Sequence, residues 1–74
     1  MQYYKKGNLF YKLDPEAKSY TEVFSATDQC RIMYMKDLAN YSATETRINQ
    51  ANFVQSDATE FTQVLTVVLT RLGS

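Results

Sequence analysis

Cys30 is the only cysteine in the seventy-four residues, and there is no histidine. These two facts constrain the fold more than any others. A chain this short buries only about 60–65% of the surface its unfolded form exposes. Small domains therefore commonly rely on disulfides, a metal or oligomerisation. A lone cysteine excludes an internal disulfide. Without histidine it also excludes a structural zinc site, which takes four Cys or His ligands. What remains is a small apolar core, self-association, or packing on a partner.

The first 35 residues alternate with period two, the signature of strands. Gln2–Lys5 is a short tyrosine-rich run. Gly7-Asn8 then suits a two-residue hairpin in which glycine supplies the positive φ of a type II′ turn. Leu9, Tyr11 and Leu13 alternate with Phe10 and Lys12. Asp14-Pro15-Glu16-Ala17-Lys18 is a turn by chemistry: Asp14 accepts local hydrogen bonds and Pro15 presets φ. Ser19–Phe24 returns, Thr27-Asp28 breaks the run, and Cys30–Met35 alternates again. Short connections between consecutive strands predict an antiparallel meander.

Residues 36–56 read as a polar connection with a few apolar anchors, and Glu45–Asn49 reads as a short additional strand. Residues 57–72 read as a helix. Asp57-Ala58-Thr59-Glu60 has the form of a capping box, with Ser56 an alternative cap. Phe61, Val64, Leu65, Val68, Leu69 and Leu72 form one apolar stripe at helical spacing. Arg71 favours the last turn, and Gly73 is placed as the residue that ends it.

The predicted fold is α+β: a three- to four-stranded antiparallel meander packed by one C-terminal amphipathic helix. The helix stripe is expected on Leu9, Tyr11, Leu13, Tyr20, Phe24, Ile32 and Tyr34. A second sheet face then carries Phe10, Val23, Met33 and Met35, and one helix covers only one face. That surplus, with the weakly charged helix face of Thr62, Thr66, Val67 and Thr70, marks the candidate partner surface.

Catalytic chemistry has little to be built from. General acid–base work most often uses histidine, and a cysteine nucleophile needs a base to form thiolate. Cys30 in a strand reads as a small buried hydrophobe. Asp57 and Glu60 are accounted for by capping, and Gly7 and Gly73 are too few for a phosphate loop. No catalytic residue, metal site or cofactor is expected.

Nucleic-acid binding is the alternative from another class. Tyr3, Tyr4 and Tyr11 interleave with Lys5, Lys6 and Lys12, and aromatics flanked by lysines can stack bases and neutralise phosphates. Against it, eight basic residues balance eight acidic ones, whereas nucleic-acid binders are usually basic. No run of apolar residues is long enough for a membrane helix, and no apolar leader opens the chain. Together with the unpaired cysteine, this predicts a reducing cytoplasm and no secretion by signal peptide.

Tyr11–Val23, with Asp14-Pro15 and then Ser19-Tyr20-Thr21-Glu22-Val23, resembles one hairpin of a kelch-type propeller repeat. A second copy and the Gly-Gly pair are absent, so shared hairpin chemistry accounts for it. Met1–Lys6, Asp14–Val23 and the stretch from Glu60-Phe61 through Val68-Leu69 to Leu72 resemble the style of small orphan proteins of tailed bacteriophages. That resemblance implies a minor component of a virion, or an accessory protein in the cytoplasm of an infected host, with a bacterial cytoplasm the alternative. The expected role is a non-enzymatic structural or interaction subunit, as a homo-oligomer or with other proteins of an assembly. A small inhibitor or regulator of a host protein would share the same surfaces.

Overall fold

The computed structural model describes residues 1–73 and has the α+β architecture that the sequence predicts. Four strands run in order as an antiparallel meander: β1 (Gln2–Lys6), β2 (Leu9–Asp14), β3 (Ser19–Ser25) and β4 (Cys30–Lys36). A helix α1 (Leu38–Gln50), a short strand β5 (Val54–Gln55) and a helix α2 (Ala58–Leu72) follow. The sheet order is β4-β3-β2-β1-β5, so β4 and β5 are its edges.

The turns follow the local chemistry. Gly7 has φ +59 and Asn8 stays out of the positive region, as a type II′ hairpin between Lys6 and Leu9 requires. At the second hairpin, Asp14 Oδ1 accepts from the backbone N–H groups of Glu16 and Ala17, each at 3.2 Å. Lys18 closes that turn in the left-handed region at φ 54.

The main departure from expectation is α1. It occupies the stretch read as polar connection, and Glu45–Asn49 is helical rather than a strand. Asp37 caps it, accepting from the backbone N–H of Asn40 at 3.1 Å and from its side-chain amide at 2.6 Å. Its buried face is Tyr41, Thr44 and Ile48, and the polar middle member breaks the apolar stripe. The helix ends at Ala51, and Asn52 follows at φ 60. Asparagine is the residue other than glycine that best tolerates that conformation after a helix.

The two helices cover opposite sheet faces. Tyr41 and Ile48 of α1 join Tyr11, Leu13 and Tyr20, with Tyr4, Leu9, Met35 and Phe53 packed around them. Phe61 and Val68 of α2 join Val23, with Tyr3, Phe10, Cys30, Ile32, Val64 and Leu65 packed around them. Both sheet faces being apolar is thus answered within the chain. The expected helix packing is corrected in phase. The register sets Val23 opposite Ile32 and Tyr20 opposite Met35, so Ile32 and Tyr34 lie on the face of Val23, and Leu9, Tyr11, Leu13, Tyr20 and Phe24 lie on the other face, where α1 packs.

Capping of α2 follows the sequence in part. Asp57 accepts from the Glu60 N–H at 2.8 Å, but the Glu60 carboxylate does not close the box. It accepts instead from Ser56 Oγ and from Lys5 Nζ, the latter at 2.6 Å. Gly73 ends α2 at φ −87, so the left-handed stop expected of a glycine is not used. The apolar stripe is only partly consumed: Phe61 and Val68 are buried, while Leu69 and Leu72 are half exposed.

Candidate interaction surface and buried polar network

The four sheet residues proposed as a partner surface do not share a face. Val23 is fully buried and Phe10 is packed beneath α2. Met35 packs against the α1 core, which leaves Met33 as the exposed member. The reason is the same one-residue phase in β4, combined with a second helix that the sequence pattern did not announce.

The helix surface lies outward as expected: Thr62, Thr66, Val67 and Thr70 are all exposed. The hydroxyl of Thr66 donates to the Thr62 carbonyl, and that of Thr70 to the Thr66 carbonyl, both at 2.9 Å. Two of the three hydroxyls therefore satisfy themselves on their own helix, and the face is less polar than its composition suggests.

The aromatic and basic residues proposed for nucleic acid are divided and engaged. Tyr3, Lys5 and Lys12 lie on the α2 face, and Tyr4, Lys6 and Tyr11 on the α1 face. The Tyr3 ring packs on Phe61 with centroids 5.7 Å apart, and Lys5 pairs with Glu60. Lys6 sits over the Phe53 ring at 5.9 Å. Tyr11 has no exposed surface. No platform of stacked aromatics results.

Tyr11 instead belongs to a buried polar network that sequence reasoning missed. Glu22, in the interior strand β3, is only 5% exposed. Its Oε2 accepts from the Tyr11 hydroxyl at 2.8 Å. Its Oε1 accepts from Arg31 Nε at 3.2 Å and Nη2 at 3.1 Å. Arg47, from the last turn of α1, donates to the Tyr11 oxygen and lies over its ring at 5.6 Å. A buried carboxylate is tolerable only when its lone pairs are met in this way. A signal was present in the sequence: Glu22 falls between Tyr20 and Phe24 at period two, an acid on an otherwise apolar face.

Burial first, and the hydrogen bond to Glu22 second, push the Tyr11 phenol well above the ordinary tyrosine range. Tyr41 is raised too, by burial and then by Glu45. Glu60 is lowered, first by its hydrogen bond from Lys5 and then by that from Ser56. Among the described residues no three Cys, Asp or Glu side chains gather as metal ligands would.

One cleft of about 160 Å³ opens on the α2 side, lined by Met1, Lys12, Asp14, Ser19, Tyr20, Thr21 and Tyr34. It is smaller than the roughly 300–1,000 Å³ of ordinary ligand pockets. The larger unpartnered feature is β4. The Ala26 N–H donates to the Gln29 carbonyl at 2.9 Å. The hydrogen-bonded pairs that alternate from there are Phe24–Arg31, Glu22–Met33 and Tyr20–Met35. The backbone groups of Cys30, Ile32, Tyr34 and Lys36 therefore turn outward. Along this edge Tyr34 is 63% exposed and Met33 37%.

Comparison with protein-family models, with curated proteins and with solved structures gives no match. The chemistry of the chain's own surface therefore carries the functional reading.

Proposed function

We propose that this chain is a non-enzymatic interaction subunit, an accessory component of a larger assembly of the kind a tailed-phage particle is. The observation that carries the reading is the outer edge of β4. Seven residues long, it offers a row of outward backbone donors and acceptors beside exposed apolar side chains. Proteins normally blunt such an edge with a short strand, charged side chains, a proline or a bulge. The opposite edge is blunted in this way by the two-residue β5. Between Arg31 and Lys36, β4 carries none of these devices. An edge left open in this manner is the template for strand addition by another chain.

The phage setting rests on the resemblance of Met1–Lys6, Asp14–Val23 and the C-terminal stripe, and puts the protein in a virion or in an infected cell. The test is the size at which the endogenous protein migrates in a gently prepared extract or particle preparation of its source. Migration in a complex well above the 8.5 kDa of the chain is expected. Migration at the size of the free chain throughout would sink the reading.

A further inference from the structure

We infer that β4 pairs with the β4 of a second copy, antiparallel and about a twofold axis at Met33, joining two sheets into one. The inference rests on the interaction reading above and names its first partner. The outward backbone groups belong to Cys30, Ile32, Tyr34 and Lys36, so a second strand must present groups of the same parity. A twofold at Met33 meets this condition: Ile32 exchanges hydrogen bonds with Tyr34 of the other copy, and Cys30 with its Lys36. Centred on Met33, all of residues 30–36 pair. Centred on Ile32 or Tyr34, only residues 30–34 or 32–36 do.

The side chains agree with that register. On the α2 face each Ile32 meets the other copy's Tyr34, an aliphatic–aromatic cross-strand pair of the favourable kind. On the α1 face Met33 meets Met33, and Arg31 meets Met35. Lys36 meets Cys30, so neither of the strand's two cations faces another cation. Arg31 is already neutralised by Glu22 within its own chain. The strand is thus complementary to itself in hydrogen bonding, in apolar contact and in charge.

Met33 at the axis makes the register testable, because it would sit in a pair without hydrogen bonds, where opposing Cα atoms approach to about 4.5 Å. That is within the range a disulfide spans. In a Cys30→Ser background, Met33→Cys should cross-link to a dimer on mild oxidation, while Tyr34→Cys, which faces Ile32, should not. Met33→Lys sets two ammonium groups against each other in the dimer, yet lies opposite Glu22 within the chain. It should keep the native spectrum and raise the dissociation constant by about tenfold or more.

Sedimentation of the purified chain at twice 8.5 kDa, lost in Met33→Lys, together with selective cross-linking, is the expected result. A monomer at every concentration, a dimer untouched by Met33→Lys, or equal cross-linking of both cysteine variants would each overturn the proposal. If the purified chain is monomeric while the endogenous protein runs in a large complex, self-pairing fails and the interaction reading stands. If both run as the free chain, both fail.

Discussion

Glu22 shows how a single residue can depend on its neighbours more than they depend on it. Arg31 is over half exposed and Glu22 is nearly buried, so the pair is asymmetric. Removing the arginine leaves a carboxylate in the interior with Tyr11 as its remaining protein donor. Removing the carboxylate's charge leaves an arginine that reaches water. Arg31→Met is therefore expected to cost about 2–4 kcal/mol, and Glu22→Gln about 1–2 kcal/mol. Urea midpoints of the two variants check this, and equal costs would contradict the asymmetry. Tyr11 adds a pH dependence. Its folded pKa lies above the unfolded value of 10.0, so the native state holds a proton that the unfolded chain releases. That stability is fully present below pH 10 and falls as pH rises beyond it, by up to about 1.4 kcal/mol per pH unit. Urea titrations between pH 9 and 11.5 should show the fall. Tyr11→Phe should start less stable and decline less steeply. The acid on the apolar face of β3 was legible in the sequence, but its surroundings were not: Arg31 reaches Glu22 through strand register, and Arg47 reaches Tyr11 from a helix that local pattern did not reveal.

At the scale of elements, what the sequence disclosed depended on how each element is held. The strands follow period two and their turns follow Gly7, Asp14 and Pro15, so their bounds were readable to within a residue or so. The α2 helix carries its own stripe and cap. The α1 helix has a buried face of one aromatic, one threonine and one isoleucine, and it forms because the sheet beneath supplies the apolar partner. Its termini are the local determinants that remain, and both can be tested. Asp37→Ala removes the cap and is expected to cost about 1 kcal/mol. At the other end Asn52 holds a left-handed conformation. Asn52→Ala should cost about 1 kcal/mol, while Asn52→Gly should be neutral or slightly stabilising. Thermal melts separate these outcomes. A glycine variant as unstable as the alanine variant would show that the asparagine side chain, rather than the backbone, matters there.

At the scale of the molecule, a sheet covered on both faces solves the problem of a short chain without staples. Each helix alone offers too little apolar surface, and two thin cores share one sheet as their common wall. This layering was hidden in the sequence because the surplus apolar residues of the strands admitted two answers, a partner or a second helix. Covering both faces moves the partner question from the faces to the edge, where β4 stands open. The layering has an energetic consequence. Ile48 belongs to the α1 core and Val68 to the α2 core, and the sheet separates them. Ile48→Val should cost about 1 kcal/mol and Val68→Ala about 2 kcal/mol. With no shared contacts, the double variant should lose the sum to within about 0.5 kcal/mol. It should still unfold in one transition, since neither layer has a sheet of its own to fold on. Denaturant unfolding followed by near-ultraviolet and far-ultraviolet signals tests both parts. A coupling energy above about 1 kcal/mol would mean that strain crosses the sheet, and separated transitions would mean that one helix can leave while the other core stays intact.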